Sequence, residues 1–453
     1  MIQKDETHEI KQWIKNKLSL SSDFESGEMK TSEMKAQIFF IKSICKEDSI
    51  QKYIISPFFK TEKIEGYVRY IRSFPGYKEP KDKQEVLDKL LTGFVAIFIN
   101  EEILLFEANN IEASSITEAN VELSVQGPKD ALNEKLNTNL NLIRHRYHSD
   151  ALKVEQQTIG ELSKIKAAIV YDQTFVDQAI LTDVKNKISS LELDILQSAG
   201  QLHQVLTKQK WSLFPTMLIT ERPDRIAKNL SEGKVVILFA SSPFALIVPS
   251  VFFDFFSSMD DIYQLPGVGR FLSLLRYIGL FVTTMLPALY VAITSYNPEL
   301  LRIQLALSIA GSRATVPYPS YLEILFMLLA MEFLIEASIR LPKTIGPAAT
   351  TVGGLILGQA ATEAGLVSNI MIIIVAVVAI SNFVIPINSM GFAIRVVKYP
   401  ILLLAVFWGL MGVVVGFIGL ILHLANLRSF GAPYLRLFKV DQHKEIQKDQ
   451  PSH

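Results

Sequence analysis

Glu323, Glu332 and Glu336 fall inside an otherwise apolar run, Tyr318–Ile339, of this 453-residue chain. A carboxylate near the centre of a bilayer costs roughly 2.5 kcal/mol or more, so such side chains face protein or water and mark places where ions pair or pass. Glu332 and Glu336 are four residues apart and share one face of a helix, whereas Glu323 lies on the opposite face. One reading is a helix that lines an aqueous path for cations. The other is an amphipathic helix at the membrane interface, with Glu336 paired to Arg340 one turn later. Glu363, which interrupts the apolar sequence further on, joins the candidate path residues.

The elements that carry these residues read as membrane helices. Ala364–Ile394 and Tyr399–Leu427 contain no Asp, Glu, Lys or Arg, and each exceeds the ~20 residues needed to cross ~30 Å of hydrocarbon. A first span over about Phe271–Ser295 has Arg270 and Arg276 on its cytoplasmic flank, and Pro287 is placed to kink it. Gly354 and Gly358 form a small-xxx-small pair, and Gly412 and Gly416, with Gly409 and Gly419, run along one side of the last span. Both groups are candidates for close helix packing. The basic tail residues Arg428, Arg436, Lys439 and Lys444 predict that both termini are cytoplasmic and that the chain crosses four times. In that arrangement the acidic or the glycine-rich stretch is a partial or interfacial helix, and Arg395 and Lys398 are loop charges on the far side.

The N-terminal half is polar and mixed in pattern, with an internal repeat. Ala36–Phe58 and Ala167–Ile188 each read as a β-rich apolar run, a polar turn and a helix, while Gly93–Glu107 and Gly233–Pro249 each read as a hairpin. The fold class expected is an α/β soluble region of two similar subdomains followed by an α-helical polytopic membrane domain. The expected boundaries are 1–150 and 151–255 for the subdomains, 256–435 for the membrane domain and 436–453 for a polar tail. Pro128 and Pro223 suit helix starts. Around Pro223, the charges Glu221, Arg222, Asp224 and Arg225 read either as a salt-bridged cap or as an interface with a partner.

Several chemistries lack their residues. The formal net charge is zero, which gives no sign of the basic surface that nucleic-acid binding requires. Cys45 is the sole cysteine, so no disulfide forms within the chain. The N-terminal sequence has no apolar core of a signal peptide, which predicts that the soluble part stays in the cytoplasm and the first span directs insertion. No GxxxxGK[ST] or GxSxG occurs, and Gly267-Val268-Gly269 leads into a span rather than a nucleotide-binding helix. His145 and His148 lack the companions of a metal site. No enzyme, cofactor or metal is expected.

Five segments resemble the A subunits of GerA-type spore germinant receptors: Val125–Arg146, Ser212–Ser250, Arg340–Gly346, Gly358–Ser368 and Leu427–Leu435. The similarity runs from Asp23-Phe24 to the tail. Ser338 after Glu336-Ala337 and the turn Ala240-Ser241-Ser242 depart from the family's usual residues. The resemblance implies a multi-pass protein of the spore inner membrane, its N-terminal domain facing the core. It also implies a homo-oligomer that works with a transporter-like B subunit and a lipoprotein C subunit and conducts monovalent cations when nutrient binds. The competing readings are a membrane-anchored signalling scaffold and an accessory paralogue without nutrient-sensing partners of its own.

Overall fold

A computed structural model describes residues 4–109, 117–207, 212–342 and 345–436; Lys439, Lys444 and the rest of the tail lie outside them. The chain divides into two compact units, residues 1–210, 217–250 and 429–431, and residues 211–216, 251–428 and 432–453.

The first unit contains the same chain path twice. Helix α1 (Lys4–Leu18) leads into β1 (Phe24–Lys30) and β2 (Lys35–Ile41), then α2 (Glu47–Ile50), α3 (Ser56–Lys60), α4 (Ile64–Arg72), β3 (Tyr77–Lys78), α5 (Lys83–Leu91) and the hairpin β4 (Phe94–Ile99) and β5 (Glu102–Glu107). A two-stranded ribbon, β6 (Thr117–Glu118) and β7 (Asp130–Ala131), intervenes. Helix α6 (Leu136–Arg146) then leads into β8 (Leu152–Ile159), β9 (Ile165–Asp172), α7 (Gln178–Ser189), α8 (Ala199–Leu206), β10 (Leu218–Thr220), α9 (Pro223–Ser231) and the hairpin β11 (Val235–Phe239) and β12 (Ala245–Val248). The sheets run β1-β2-β4-β5-β3 and β8-β9-β11-β12-β10, antiparallel throughout. Both have the order first-second-fourth-fifth-third within their own repeat. The α/β region of two similar subdomains expected from the sequence is therefore present.

Local chemistry explains the match. β4 and β11, FVAIFI and VVILF, are buried at every position, as befits central strands covered on both faces. Each follows a helix that ends on a glycine with positive φ, Gly93 at 90° and Gly233 at 80°. There a side chain would strain the backbone, and a Cβ on Gly233 would also meet the carbonyl of Phe175. Asp82, Asp177 and Ser198 cap α5, α7 and α8 by accepting backbone N–H groups.

The second unit is helical: α10 (Asp260–Tyr263), α11 (Pro266–Tyr296), α12 (Ile303–Arg313), α13 (Ser320–Arg340), α14 (Gly346–Glu363), α15 (Asn369–Phe383) and α16 (Asn388–Asn426). By length and composition, α11 and α16 are the two described helices that could cross a membrane, and α15 is a shorter apolar helix. Two expected runs are not continuous spans. Ala364–Ile394 is interrupted between α15 and α16, where Pro386 lacks the N–H that a continuing helix needs. Tyr399–Leu427 is broken at Gly409, whose backbone (φ 54°, ψ −135°) leaves the helical region. Beyond it the chain doubles back, so that Gly416 lies against Ile401 and Leu404. The first limb of α16, about 31 Å long, still matches ~30 Å of hydrocarbon, and the second, about 26 Å, falls short.

Candidate functional site

Among the described residues, the helical unit holds charge at several places. Glu332 on α13 accepts from two cations of α16: Arg395, through Nε at 2.8 Å and through Nη2, and Lys398 Nζ at 2.8 Å. Arg395 and Lys398 are thus helix residues paired with Glu332 rather than loop charges. They lie on one face because they are three positions apart on the helix. One carboxylate between two cations leaves a net positive charge. A small cavity beside it is lined by Glu332, Lys398, Asn382, Met331 and Val378.

Glu323 is more deeply placed, at 1% exposure. Its Oε1 accepts from Ser368 N at 2.5 Å and Ser368 Oγ at 2.6 Å, where Ser368 caps α15. The carboxylate therefore sits at the positive end of that helix. Arg313 Nε of α12 approaches Oε2 at 3.4 Å.

The remaining candidates lie elsewhere. Glu336 pairs with Arg340 at 2.7 Å, and both are exposed; it does not join Glu332. Glu363, also exposed, accepts from Gln359 Nε2 at 2.9 Å. Gly412 and Gly416 are buried against the first limb of α16, and Gly409 is its turn, so they do not form a stripe along one straight span. Gly358 has Ile372 at 3.8 Å, and Gly354 has nothing within 4 Å among the described residues. Within α11, Arg276 donates two hydrogen bonds to Asp261, at 2.5 and 2.9 Å. Nearby, the rings of Phe252, Phe253, Phe256 and Tyr277 pack together.

In the first unit, the charges around Pro223 are buried and turned inward. Glu221 accepts from the backbone of Val121 and Glu122, and Arg222 forks onto Asp224 at 3.0 and 2.7 Å while donating to the carbonyls of Glu122 and Pro128. Arg225 pairs with Glu122 at 2.8 Å. Together they fasten the segment 121–128 to the N-terminus of α9.

A second network joins the two repeats, and sequence reasoning did not single it out. Asp23 receives Arg144 Nε at 2.6 Å and Nη2 at 2.8 Å, Ser43 Oγ at 2.7 Å and Ser21 Oγ at 2.9 Å. Burial alone would raise the pKa of Asp23. The charge and hydrogen bonds of Arg144, with those of the serines, outweigh it and hold the carboxyl below the usual aspartate value. Next to this network a cavity of about 250 Å³ is lined by Lys42, Ser43, Cys45, Lys46, Thr138 and Asn141. Burial pushes the Cys45 thiol up to about 12, which removes it as a nucleophile.

A duplicated α/β unit and a helical unit that buries charge pairs define a two-part protein. The family model described as Bacillus/Clostridium GerA spore germination protein matches residues 12–450, and the chain belongs to that family. Spore germination protein KA of Bacillus subtilis (strain 168) is 33% identical over 432 residues, covering 93% of this chain and 79% of the relative. Spore germination protein GerLA of Bacillus cereus is 32% identical over 437 residues, covering 94% and 89%. The crystal structure of the N-terminal domain of the A subunit of the Bacillus megaterium spore germinant receptor GerK3 aligns with a TM-score of 0.42 at 23% identity, covering 53% of this chain and 93% of that one.

Proposed function

We propose that the chain is the A subunit of a nutrient germinant receptor in the spore inner membrane. In this reading the first unit faces the core, and copies assemble with a transporter-like B subunit and a lipoprotein C subunit into a nutrient-gated path for monovalent cations. The observation that supports it is the burial of Glu323 and Lys398, with the half-buried Glu332 and Arg395 paired beside them, among apolar helices. A passive anchor gains nothing from ionised groups that cost several kcal/mol to desolvate. Paired charges that can separate give a path its selectivity and its closed state. The test is potassium release from spores in which this chain is the sole A subunit of its family, with B and C subunits supplied. Nutrient-triggered release that requires the chain is expected; release at the same rate after its deletion contradicts the reading.

A further inference from the structure

The segment after α16 carries one of the family motifs, Leu427–Leu435, and the cation-path reading gives it no role. It folds as a hairpin of β13 (Arg428–Ser429) and β14 (Ala432–Pro433). The turn residues Ser429–Gly431 are built into the first unit, although the chain on either side of them belongs to the second. Phe430 is 7% exposed in the core of the second repeat, with Lys187 Nζ of α7 3.8 Å from its ring centre. Ser429 Oγ accepts from Ser250 N at 3.0 Å, and Ser250 Oγ accepts from Leu218 N at 3.0 Å. Both serines are sealed from water. The backbone runs against this choice of residue. Phe430 has φ 47° and Gly431 φ 83°, the pattern of a tight hairpin turn that favours Asn-Gly and strains a bulky side chain at its first position. Phenylalanine therefore sits there for what its ring does inside the first unit, and turn propensity does not hold it in place.

We propose that the Phe430 turn is a plug that couples the second repeat to the end of α16. Seated, the ring completes the core of the repeat and lies under a cation that its face attracts. Withdrawn, it leaves a cavity in that core. Only Leu427 and Arg428 separate the last residue of α16 from Ser429, so a loosened core frees the helix end and a displaced helix end pulls on the ring. The base of the hairpin is closed: Tyr434, 0% exposed, donates its hydroxyl to Pro215 O at 2.7 Å and its N–H to Leu427 O at 3.0 Å. A shift of the helix end is thereby delivered to the turn. The device requires no ion and stands apart from the cation-path reading.

The experiment is amide hydrogen exchange of the full chain in nanodiscs, read by mass spectrometry at β12 and in the last two turns of α16. Phe430→Asn gives opposite signs for a plug and for a plain turn. Asparagine suits the left-handed backbone, so a plain turn would be steadied and exchange would slow or hold. Loss of the plug is expected to quicken exchange about tenfold at both places. If Phe430→Asn does not fold, Lys187→Met, which removes the cation and keeps the apolar stem, is expected to quicken both about threefold. Quickening confined to β12, or exchange at the end of α16 that is unchanged or slower, overturns the coupling. Val184→Ala, a change in the same core, is expected to quicken the end of α16 in the wild-type background and to add nothing there in Phe430→Asn. Equal increments in both backgrounds overturn the plug as the route.

Discussion

Asp23 shows what a buried carboxylate contributes when every oxygen is used. Its two oxygens take four donors from β-strand flanks and from α6, so removing its charge leaves Arg144 unpaired in the interior. Asp23→Asn should lower the unfolding free energy of the first unit by about 3–5 kcal/mol, read from its denaturant midpoint. Replacing both residues with leucine should cost less than the single change. The pH dependence follows from a folded pKa below the unfolded one: the stabilisation is complete above about pH 4 and is lost as pH falls through the lower folded value. A midpoint for wild type that falls below pH 4 more steeply than for the double-leucine variant is expected; parallel profiles would show that the pair carries no such stabilisation.

At the scale of elements, glycine positions separate turns from packing surfaces. Gly409 has backbone angles open to glycine alone, and a Cβ there would strike the Tyr296 ring at 2.9 Å. Gly409→Ala should lower the melting temperature of the full chain in detergent by several degrees, for a strain of about 1–3 kcal/mol. Gly419→Ala, with nothing within 4 Å among the described residues, should leave it unchanged. Equal effects would place the turn elsewhere. The central hairpins were legible in the sequence because β4, β5, β11 and β12 are continuous apolar runs. The edge strands were not. β1, FESGEMK, is a polar edge strand, and β3 and β10 are too short for any alternation to register. Composition could show that 344–427 is apolar, but not that it folds back at Gly409, because one φ value decides that and a glycine is equally consistent with a packing stripe.

For the whole molecule, the sequence pointed to the acidic residues of α13 and to Arg340 as the partner of Glu336, but not to the partners of Glu323 and Glu332. Helical spacing put Glu332 and Glu336 together on one face, whereas tertiary contacts separate them, Glu336 turning to Arg340 and Glu332 to Arg395 and Lys398. The pairing i,i+4 is local and readable; the pairing across 63 residues is not. The Glu332 cluster gives the cation-path reading its most direct test. Nutrient-triggered potassium efflux is measured from spores carrying Glu332→Gln, at receptor levels matched to wild type and at saturating nutrient. If this carboxylate offsets Arg395 and Lys398 along the path, its loss leaves two uncompensated positive charges, and efflux should slow or lose its preference for potassium over sodium. Efflux of unchanged rate and selectivity would contradict the account and remove the cluster from the path.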